Sequence, residues 1–212
     1  MIYLCCSRLP DAFSVEDSAC SLKSRLSGIE NAEYINKIAS RAPSAAAEGL
    51  YAVYLLLKLI DRYFPNTANE VITFSRSTNG KPYFDDSPLK FSISHSGGIV
   101  ACAVSDCGEV GVDVETANIS QKKALKLADR FFTDDEIREV KRDPQTFTRI
   151  WTRKEAASKF FGENLADFIK KTPPSDLDAK IYFHSFTYCQ YPVTLCTARN
   201  FDKIILLDDS IK

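Results

Sequence analysis

The chain has 212 residues, enough for one large domain or two small ones. Its composition, 45% hydrophobic and 26% charged, is that of a globular protein and excludes a disordered or low-complexity chain. A formal net charge of −1 at pH 7 gives no overall basic field for nucleic acid, so a polyanionic ligand would have to meet a local basic patch.

The first part of the chain predicts a strand followed by helices. Residues 1–6 have the pattern of a short strand, and residues 14–41 carry apolar groups at near-helical spacing. The strongest helix prediction is Ser44–Ile60, which Pro43 precedes and whose wide apolar surface indicates a core helix. Its longest apolar run, Gly49–Leu57, is too short to cross a bilayer, so we expect no membrane association.

The middle of the chain predicts a turn and three strands. Residues 79–82, Asn-Gly-Lys-Pro, have turn chemistry. The segments Phe91–Ser94 and Ile99–Ser105 predict two strands joined by a tight connection at His95–Gly98. Val110–Glu115 alternates as a third strand.

Residues 120–198 predict helices and then a hairpin. A helix is expected near Ser120–Arg130, and Thr133 with Glu136 forms a capping-box pattern that opens another. A longer helix follows Pro144 and runs to about Phe161. The remaining predictions are a loop at Lys171–Asp178 and a closing hairpin of Ile181–Tyr188 and Val193–Ala198. Strands and helices that are segregated in this way predict an α+β fold.

The seven cysteines predict free thiols in a reducing cytosol, because their number is odd and no Cys-x-x-Cys pair suggests a zinc site. Adjacent Cys5 and Cys6 lie in an apolar run and are expected in the core. No basic segment precedes that run, so no secretion signal is predicted, and we expect a soluble, cytoplasmic protein.

Two carboxylates in the predicted strand 110–115 suggest a metal site. Asp113 and Glu115 alternate with Val112 and Val114, so the acids project from one face while the valines enter the core. Acids spaced in this way repel each other unless a cation lies between them, and magnesium prefers such oxygen ligands. The alternative is a solvent-facing acidic edge of the sheet.

A second reactive group lies on the predicted helix that ends near Phe161. Trp151, Glu155 and Lys159 are each four residues apart and share one face. There Glu155 could join a metal or accept a proton, and Lys159 could meet a phosphate. The alternative is an ordinary surface ion pair, worth roughly 0.2–0.5 kcal/mol.

Residues 92–98, Ser-Ile-Ser-His-Ser-Gly-Gly, offer hydroxyls, an imidazole and exposed backbone N–H groups that suit an anion. A serine nucleophile is poorly supported here, because neighbouring strand side chains face opposite ways and the Gly-x-Ser-x-Gly turn is absent. Taken alone, the turn Gly80-Lys81-Pro82 indicates only a basic turn and no particular site.

Taken together and in this order, these segments resemble the motifs of the 4′-phosphopantetheinyl transferases. The matching segments are Asn79-Gly80-Lys81-Pro82, Phe91-Ser92-Ile93-Ser94-His95-Ser96, Gly111-Val112-Asp113-Val114-Glu115, Phe131-Phe132 and Trp151-x-x-Lys154-Glu155-Ala156-x-x-Lys159. The resemblance covers residues 75–165 well and is to the larger, two-subdomain type, similar to the surfactin-synthetase-activating enzymes. The order of the motifs is specific, although no single motif would be.

The resemblance implies transfer of the phosphopantetheine arm of coenzyme A to a serine of an apo acyl or peptidyl carrier protein, with release of adenosine 3′,5′-bisphosphate. It implies that Asp113, Glu115 and Glu155 bind Mg²⁺, or Mn²⁺ in its place, which bridges the pyrophosphate. The catalytic residues are then Asp113, Glu155 and Lys159. Glu155 would take the serine proton, directly or through water, and Lys159 would stabilise the leaving phosphate.

The resemblance also implies how coenzyme A is held. The residues implied are Arg41, Ser44, Lys81, Ser94, His95 and Lys159, with His95 on a phosphate. Members of the family usually carry a basic residue just before the position of Ser44, which opens the first long helix. That basic residue helps to hold the nucleotide end of coenzyme A. This chain has Pro43 there, so Arg41 or Lys37 is expected to substitute.

The implied architecture is two similar small α+β subdomains in a pseudo-twofold arrangement, residues 1–104 and 105–212, with the active site in the cleft between them. We expect a monomer with no nucleic-acid partner. Lys122, Lys126 and Arg130 are each four residues apart and predict a basic stripe on one helix face. Such a stripe would dock an acidic carrier protein; the alternative is an ordinary solvated face.

Two other functions remain open from the sequence. Spaced acids with a glutamate and a lysine also suit a metal-dependent nuclease, although the near-neutral charge counts against it. The second alternative is a non-catalytic module that binds coenzyme A or a carrier protein. The presence of Asp113, Glu115, Glu155 and Lys159 together counts against that alternative.

Overall fold

The computed structural model describes residues 1–26, 28–68, 72–85, 87–166, 168, 181–200 and 204–207. The loop predicted at Lys171–Asp178 lies outside these residues. The described helices are α1 (Val15–Arg25), α2 (Ile29–Ala39), α3 (Pro43–Tyr63), α4 (Pro65–Ala68), α5 (Gln121–Phe131), α6 (Asp134–Arg142) and α7 (Thr146–Phe161). The described strands are β1 (Ile2–Arg8), β2 (Thr73–Arg76), β3 (Pro82–Asp85), β4 (Lys90–Ser96), β5 (Ile99–Ser105), β6 (Val110–Val114), β7 (Tyr182–Tyr188), β8 (Tyr191–Thr197) and β9 (Ile204–Leu207). The fold is α+β, as predicted.

Two sheets repeat one strand order. The first sheet runs β4-β5-β1-β9 and the second runs β6-β8-β7. In each sheet an opening strand, β1 or β6, is followed by helices and then by a hairpin whose second strand pairs antiparallel with the opening strand. This repetition supports two similar subdomains, whereas the boundary between residues 104 and 105 stays a prediction. The late strand β9 pairs parallel with β1 and so joins the first sheet.

Strand β1 contributes to two apolar cores because its side chains alternate between the faces of the sheet. Tyr3 and Cys5 pack towards α1, α2 and α3. Ile2, Leu4 and Cys6 face the second sheet, where they join a buried cluster with residues of β6 and β8. The prediction that Cys5 and Cys6 lie in the core is confirmed, and the two sheets share an apolar interface.

Helix α3 is the predicted core helix. Pro43 lies in its first turn, where the missing N–H leaves no intrahelical bond unmade. Among the described residues, α3 alone is long and apolar enough to cross a membrane by length and composition, with a mean hydropathy of 1.2. Within that window 67% of the residues are buried inside the protein. The sequence estimate was shorter because it counted only the uninterrupted run Gly49–Leu57.

Helix α7 packs unusually close to strand β6. A Cβ atom on Gly111 would lie 2.0 Å from the carbonyl oxygen of Ala156 and 2.5 Å from the backbone nitrogen of Phe160. Any larger residue would push the helix away from the strand. This contact brings the reactive face of α7 next to the carboxylates of β6.

The hairpin of β2 and β3 was not predicted from the sequence, which indicated only the turn at residues 79–82. Both strands are short, and Pro82 opens β3, which weakens the strand pattern. The side chain of Asn31 on α2 completes β2, since its Nδ2 donates to Ile72 O at 2.7 Å and its Oδ1 accepts from Phe74 N at 2.9 Å. Strand β9 was also missed.

Candidate active site

Three carboxylates from β6 and α7 come together. Asp113 lies in β6, Glu115 directly follows that strand, and Glu155 lies on α7. One carboxylate oxygen from each residue lies within 4.8 Å of the others. Asp113 is only 1% exposed and Glu115 is half-buried, so the solvent-facing acidic edge considered from the sequence is wrong.

The ammonium group of Lys159 lies among these carboxylates. Its Nζ is 2.7 Å from Asp113 Oδ1 and 3.9 Å from Glu155 Oε2. It also donates to Ser94 Oγ at 2.8 Å. The charges of Lys159 and Glu155 therefore belong to a half-buried network rather than to an isolated surface ion pair.

Burial and repulsion shift the proton equilibria of this cluster. Burial raises the pKa of Glu155 to about 8, and Asp113 adds to the shift while Lys159 opposes it. Burial and then Asp113 raise the pKa of Glu115. Burial on its own lowers the pKa of Lys159, but the carboxylates of Asp113 and Glu155 outweigh it, and the pKa lies above its ordinary value. Near neutral pH, the metal-free cluster therefore holds a proton on Glu155 beside a charged lysine.

The donor set of the cluster fits a divalent cation. Asp113 Oδ2 is buried and has no hydrogen-bond partner in the part of the chain that the structure describes. A buried anionic oxygen without a partner is costly unless a cation meets it. Three carboxylates are the hard oxygen ligands that Mg²⁺ takes. Asp113, Glu115 and Glu155 are the residues that would hold the ion.

A cavity of about 260 Å³ opens beside the carboxylates. The basic side chains that line it are Arg41, Arg76, His95 and Lys159. Ser44 is exposed in the first turn of α3 and, like the exposed Lys37, is outside this lining. Of the two residues expected to replace the missing basic group before Ser44, Arg41 is therefore the one at the cavity.

Lys81 lies beside this cavity rather than in its lining. Its Nζ is 2.7 Å from Glu109 Oε2. It lines an adjoining cavity of about 220 Å³, which shares Pro82, Ile93 and Lys159 with the first. A ligand long enough to extend through both cavities would pass Lys159 and meet Lys81.

A glutamate that the sequence analysis did not select holds His95. Glu48 Oε2 lies 2.8 Å from His95 Nδ1, and Glu48 Oε1 accepts a hydrogen bond from Gly98 N at 2.6 Å. The Gly98 N–H, expected to be exposed for an anion, is thus already bound. The signal for Glu48 was available, because it is a lone acid in the apolar segment Ala45–Leu50 of a core helix, where an unpaired charge is not expected.

Arg76 is a second cavity residue that the sequence analysis missed. Its guanidinium lies 5.0 Å from the centre of the Tyr34 ring, and its Nη1 donates to Gly80 O at 3.1 Å. It ends β2, a strand that was not predicted, so no sequence signal placed it at the site.

Two further residues of the helical motif have structural contacts. Lys154 is buried and its Nζ lies 3.0 Å from Glu136 Oε2, which ties α7 to the start of α6. Trp151 stacks on Phe147, with ring centres 5.5 Å apart, and packs near Phe132. These contacts fix α7 and so the positions of its reactive side chains.

The predicted basic stripe lies on the outer face of α5. Lys122, Lys126 and Arg130 are all exposed, while Ala124 and Ala128 are buried on the opposite side. The stripe is therefore an accessible surface, and its role in docking stays a prediction.

Comparison with known proteins agrees with the order of motifs and with this geometry. Residues 109–199, which include Asp113, Glu115, Glu155 and Lys159, match the 4′-phosphopantetheinyl transferase superfamily. This part of the chain is therefore similar to that superfamily. The resemblance inferred from the sequence is thereby confirmed.

Several curated relatives of the chain are named 4′-phosphopantetheinyl transferases. The chain is 36% identical over 105 residues to the 4′-phosphopantetheinyl transferase gsp of Aneurinibacillus migulanus, covering 47% of this chain and 42% of that protein. It is 42% identical over 86 residues to AcpT of Salmonella typhi, covering 38% and 44%. It is 35% identical over 101 residues to the 4′-phosphopantetheinyl transferase of Bacillus subtilis, covering 45% and 43%. The matched part of the chain spans less than half the length of each of these relatives.

Proposed function

We propose that the protein transfers the 4′-phosphopantetheine group of coenzyme A to a serine of an apo acyl or peptidyl carrier protein. The observation that carries this proposal is the meeting of Asp113, Glu115 and Glu155 with Lys159 beside a cavity that is lined by cationic groups. All four residues lie in the segment that matches the superfamily.

In the proposed reaction a phosphate ester to the carrier serine replaces the pyrophosphate linkage of coenzyme A. The carrier serine oxygen attacks the phosphorus that bears pantetheine, and the bond from that phosphorus to the bridging pyrophosphate oxygen breaks. Adenosine 3′,5′-bisphosphate leaves with the bonding electrons, and the serine proton passes to a base. Phosphoryl transfer asks the protein mainly for positioning and charge neutralisation.

Cationic residues of the cavity suit the anionic donor. Arg41, Arg76 and His95 would receive the phosphates of the nucleotide, and Lys159 lies beside the carboxylates, where the leaving phosphate would develop its charge. Charge placed in advance at a half-buried site stabilises a transition state more than the same charge in water.

Carboxylates of the cluster would share two tasks. Mg²⁺, or Mn²⁺, held by Asp113, Glu115 and Glu155 would neutralise pyrophosphate charge. Glu155 would also accept the serine proton, directly or through water. Both tasks require the ionised form, which the cation favours.

The surface that would bind the carrier protein lies on α5. The basic stripe of Lys122, Lys126 and Arg130 would dock the acidic carrier, and its helix begins only a few residues after Glu115. We further propose that the protein acts as a monomer in the cytoplasm.

Mass spectrometry of the carrier tests the proposed function. The full chain is incubated with coenzyme A, Mg²⁺ and an apo carrier protein, and we expect the carrier to gain one phosphopantetheine group only when EDTA is absent. Coenzyme A binding without any mass gain would favour the non-catalytic module. Metal-dependent nicking of a plasmid without any mass gain would favour the nuclease.

A further inference from the structure

Three serines of β4 reach from the first sheet to the second. Ser92, Ser94 and Ser96 alternate along the strand, so their hydroxyls project from one face. Each hydroxyl accepts a hydrogen bond from a backbone N–H: Val112 at 3.0 Å, Val114 at 3.4 Å and Thr116 at 3.1 Å, respectively. Strands β4 and β6 are edge strands of the sheets β4-β5-β1-β9 and β6-β8-β7, so serine side chains here bond to the backbone groups of an edge.

Two of these serines also contact the carboxylate cluster. Ser94 Oγ donates to Asp113 Oδ1 at 2.7 Å, and Ser96 Oγ donates to Glu115 Oε2 at 3.0 Å. Among the described residues Ser92 contacts no carboxylate, because the corresponding position of β6 is Gly111, which has no side chain. The three serines therefore provide an internal comparison. All three accept a hydrogen bond from a backbone N–H, but only Ser94 and Ser96 also donate to a carboxylate of the cluster.

The hydroxyl of Ser94 has no unused capacity. A serine hydroxyl offers one donor and two acceptor positions. Ser94 uses its donor for Asp113 and its acceptor positions for Val114 N and for Lys159 Nζ at 2.8 Å. In this arrangement it orients protein groups, whereas the resemblance implied a contact with coenzyme A.

We propose that Ser94 and Ser96 are positioning residues that orient Asp113 and Glu115 for a divalent cation. The inference rests on the proposed function, which assigns the cation to these carboxylates. Ser94 joins its carboxylate to the backbone of β6, and Ser96 joins its carboxylate to the backbone directly after β6, so rotation of the side chain and slippage of the strand are restrained together. Hydrogen bonds of this kind fix metal ligands, and their loss typically lowers metal affinity by about 10- to 100-fold.

Binding of Mn²⁺ to the full chain, measured by the electron paramagnetic resonance of free Mn²⁺, tests the inference without reference to activity. We expect Ser96→Ala to weaken Mn²⁺ binding by about 10- to 100-fold. Ser96→Thr, which keeps the hydroxyl, should restore the affinity. Ser92→Ala is the matched control: it also removes one serine-to-backbone bond but no carboxylate contact, so its Mn²⁺ affinity should equal that of the wild type.

Wild-type Mn²⁺ affinity in Ser96→Ala would overturn the inference, as would an equal loss in Ser92→Ala. If circular dichroism shows that Ser96→Ala does not fold, Ser96→Cys replaces it, since a thiol is a weak donor of similar size. Wild-type affinity in Ser96→Cys would then contradict the inference. A wild-type protein that binds no Mn²⁺ would remove the metal site of the proposed function itself, a result distinguishable from failure of the serine variants alone.

Discussion

Glu155 combines burial with two neighbouring carboxylates, and its proton affinity gives a test of the metal-free cluster. Burial raises its pKa from 4.5 to about 8, so the folded state retains a proton that the unfolded state releases as the pH rises above 4.5. This contribution to stability is complete below the unfolded pKa and is lost as the pH rises through the folded pKa. We therefore expect the free energy of unfolding of EDTA-treated protein to fall between pH 4.5 and about 8.

Glu155→Gln is the control for this prediction because an amide does not ionise. Urea unfolding of the metal-free proteins across this pH range should show a steeper decline for the wild type than for Glu155→Gln. Parallel pH profiles for the two proteins would contradict the assignment of the raised pKa to Glu155.

Lys159 and His95 are expected to affect different kinetic constants. Lys159 lies beside the carboxylates, so Lys159→Ala should lower kcat by about 10²–10³-fold and change coenzyme A affinity less. His95→Ala and Lys81→Ala should mainly raise the KM for coenzyme A. Steady-state kinetics with titration calorimetry would separate the two effects. The assignment fails if Lys159→Ala changes only the KM.

How far the sequence predicts the site depends on how each residue is placed. The carboxylates and Lys159 were found because their spacing within one strand and one helix is local information. Glu48 and Arg76 were missed because their roles depend on the fold, which packs α3 against the β4–β5 turn and creates β2. The serine contacts of β4 were missed for the same reason, since they depend on two sheet edges that meet in space.

The contact between β6 and α7 explains why Gly111 precedes the carboxylates. A Cβ atom there would lie 2.0 Å from a backbone oxygen, so Gly111→Ala must separate the helix from the strand. Overpacking usually costs about 1–3 kcal/mol, and we expect this variant to lose at least 3 kcal/mol, roughly the upper end of that range. Chemical denaturation measures the loss.

Gly49→Ala is the comparison for Gly111→Ala. Its added Cβ atom would lie 2.7 Å from Cγ2 of Ile38, a side-chain methyl group rather than a backbone atom, and alanine favours the helix. We expect a clearly smaller loss of stability than in Gly111→Ala. Equal losses in the two variants would mean that the close approach of α7 to β6 is not the controlling contact.

Local sequence signals predicted most of the helices and strands. They did not predict pairing between strands that lie far apart in the chain. The capping box of Thr133 and Glu136 is confirmed, with both of its hydrogen bonds formed, because every participating atom lies within one turn. Strand β9 was missed because its partner, β1, lies at the other end of the chain. Neither strand pattern nor turn chemistry carries information about a pairing over that separation.

Across the whole molecule, docking of the carrier depends on a local patch because the net charge is only −1. Lys122→Glu with Lys126→Glu should raise the KM for the carrier, most at low salt, and leave coenzyme A binding unchanged. Lys141→Glu with Arg142→Glu, exposed on α6, changes the charge equally and should have a smaller effect. Carrier kinetics that stay at the wild-type level in the stripe variant would make the stripe an ordinary solvated face.

The two sheets share an apolar core, and their edges meet where the carboxylates converge, so the site depends on the correct joining of both halves. The most direct test of its function is single-turnover transfer from coenzyme A to an apo carrier, comparing the wild type with Asp113→Asn and the exposed control Asp135→Asn. Asp113→Asn should lower the rate by at least about 10²–10³-fold while circular dichroism shows an intact fold. Asp135→Asn should match the wild type. Transfer by Asp113→Asn within about tenfold of the wild-type rate, roughly 1.4 kcal/mol, would contradict the account.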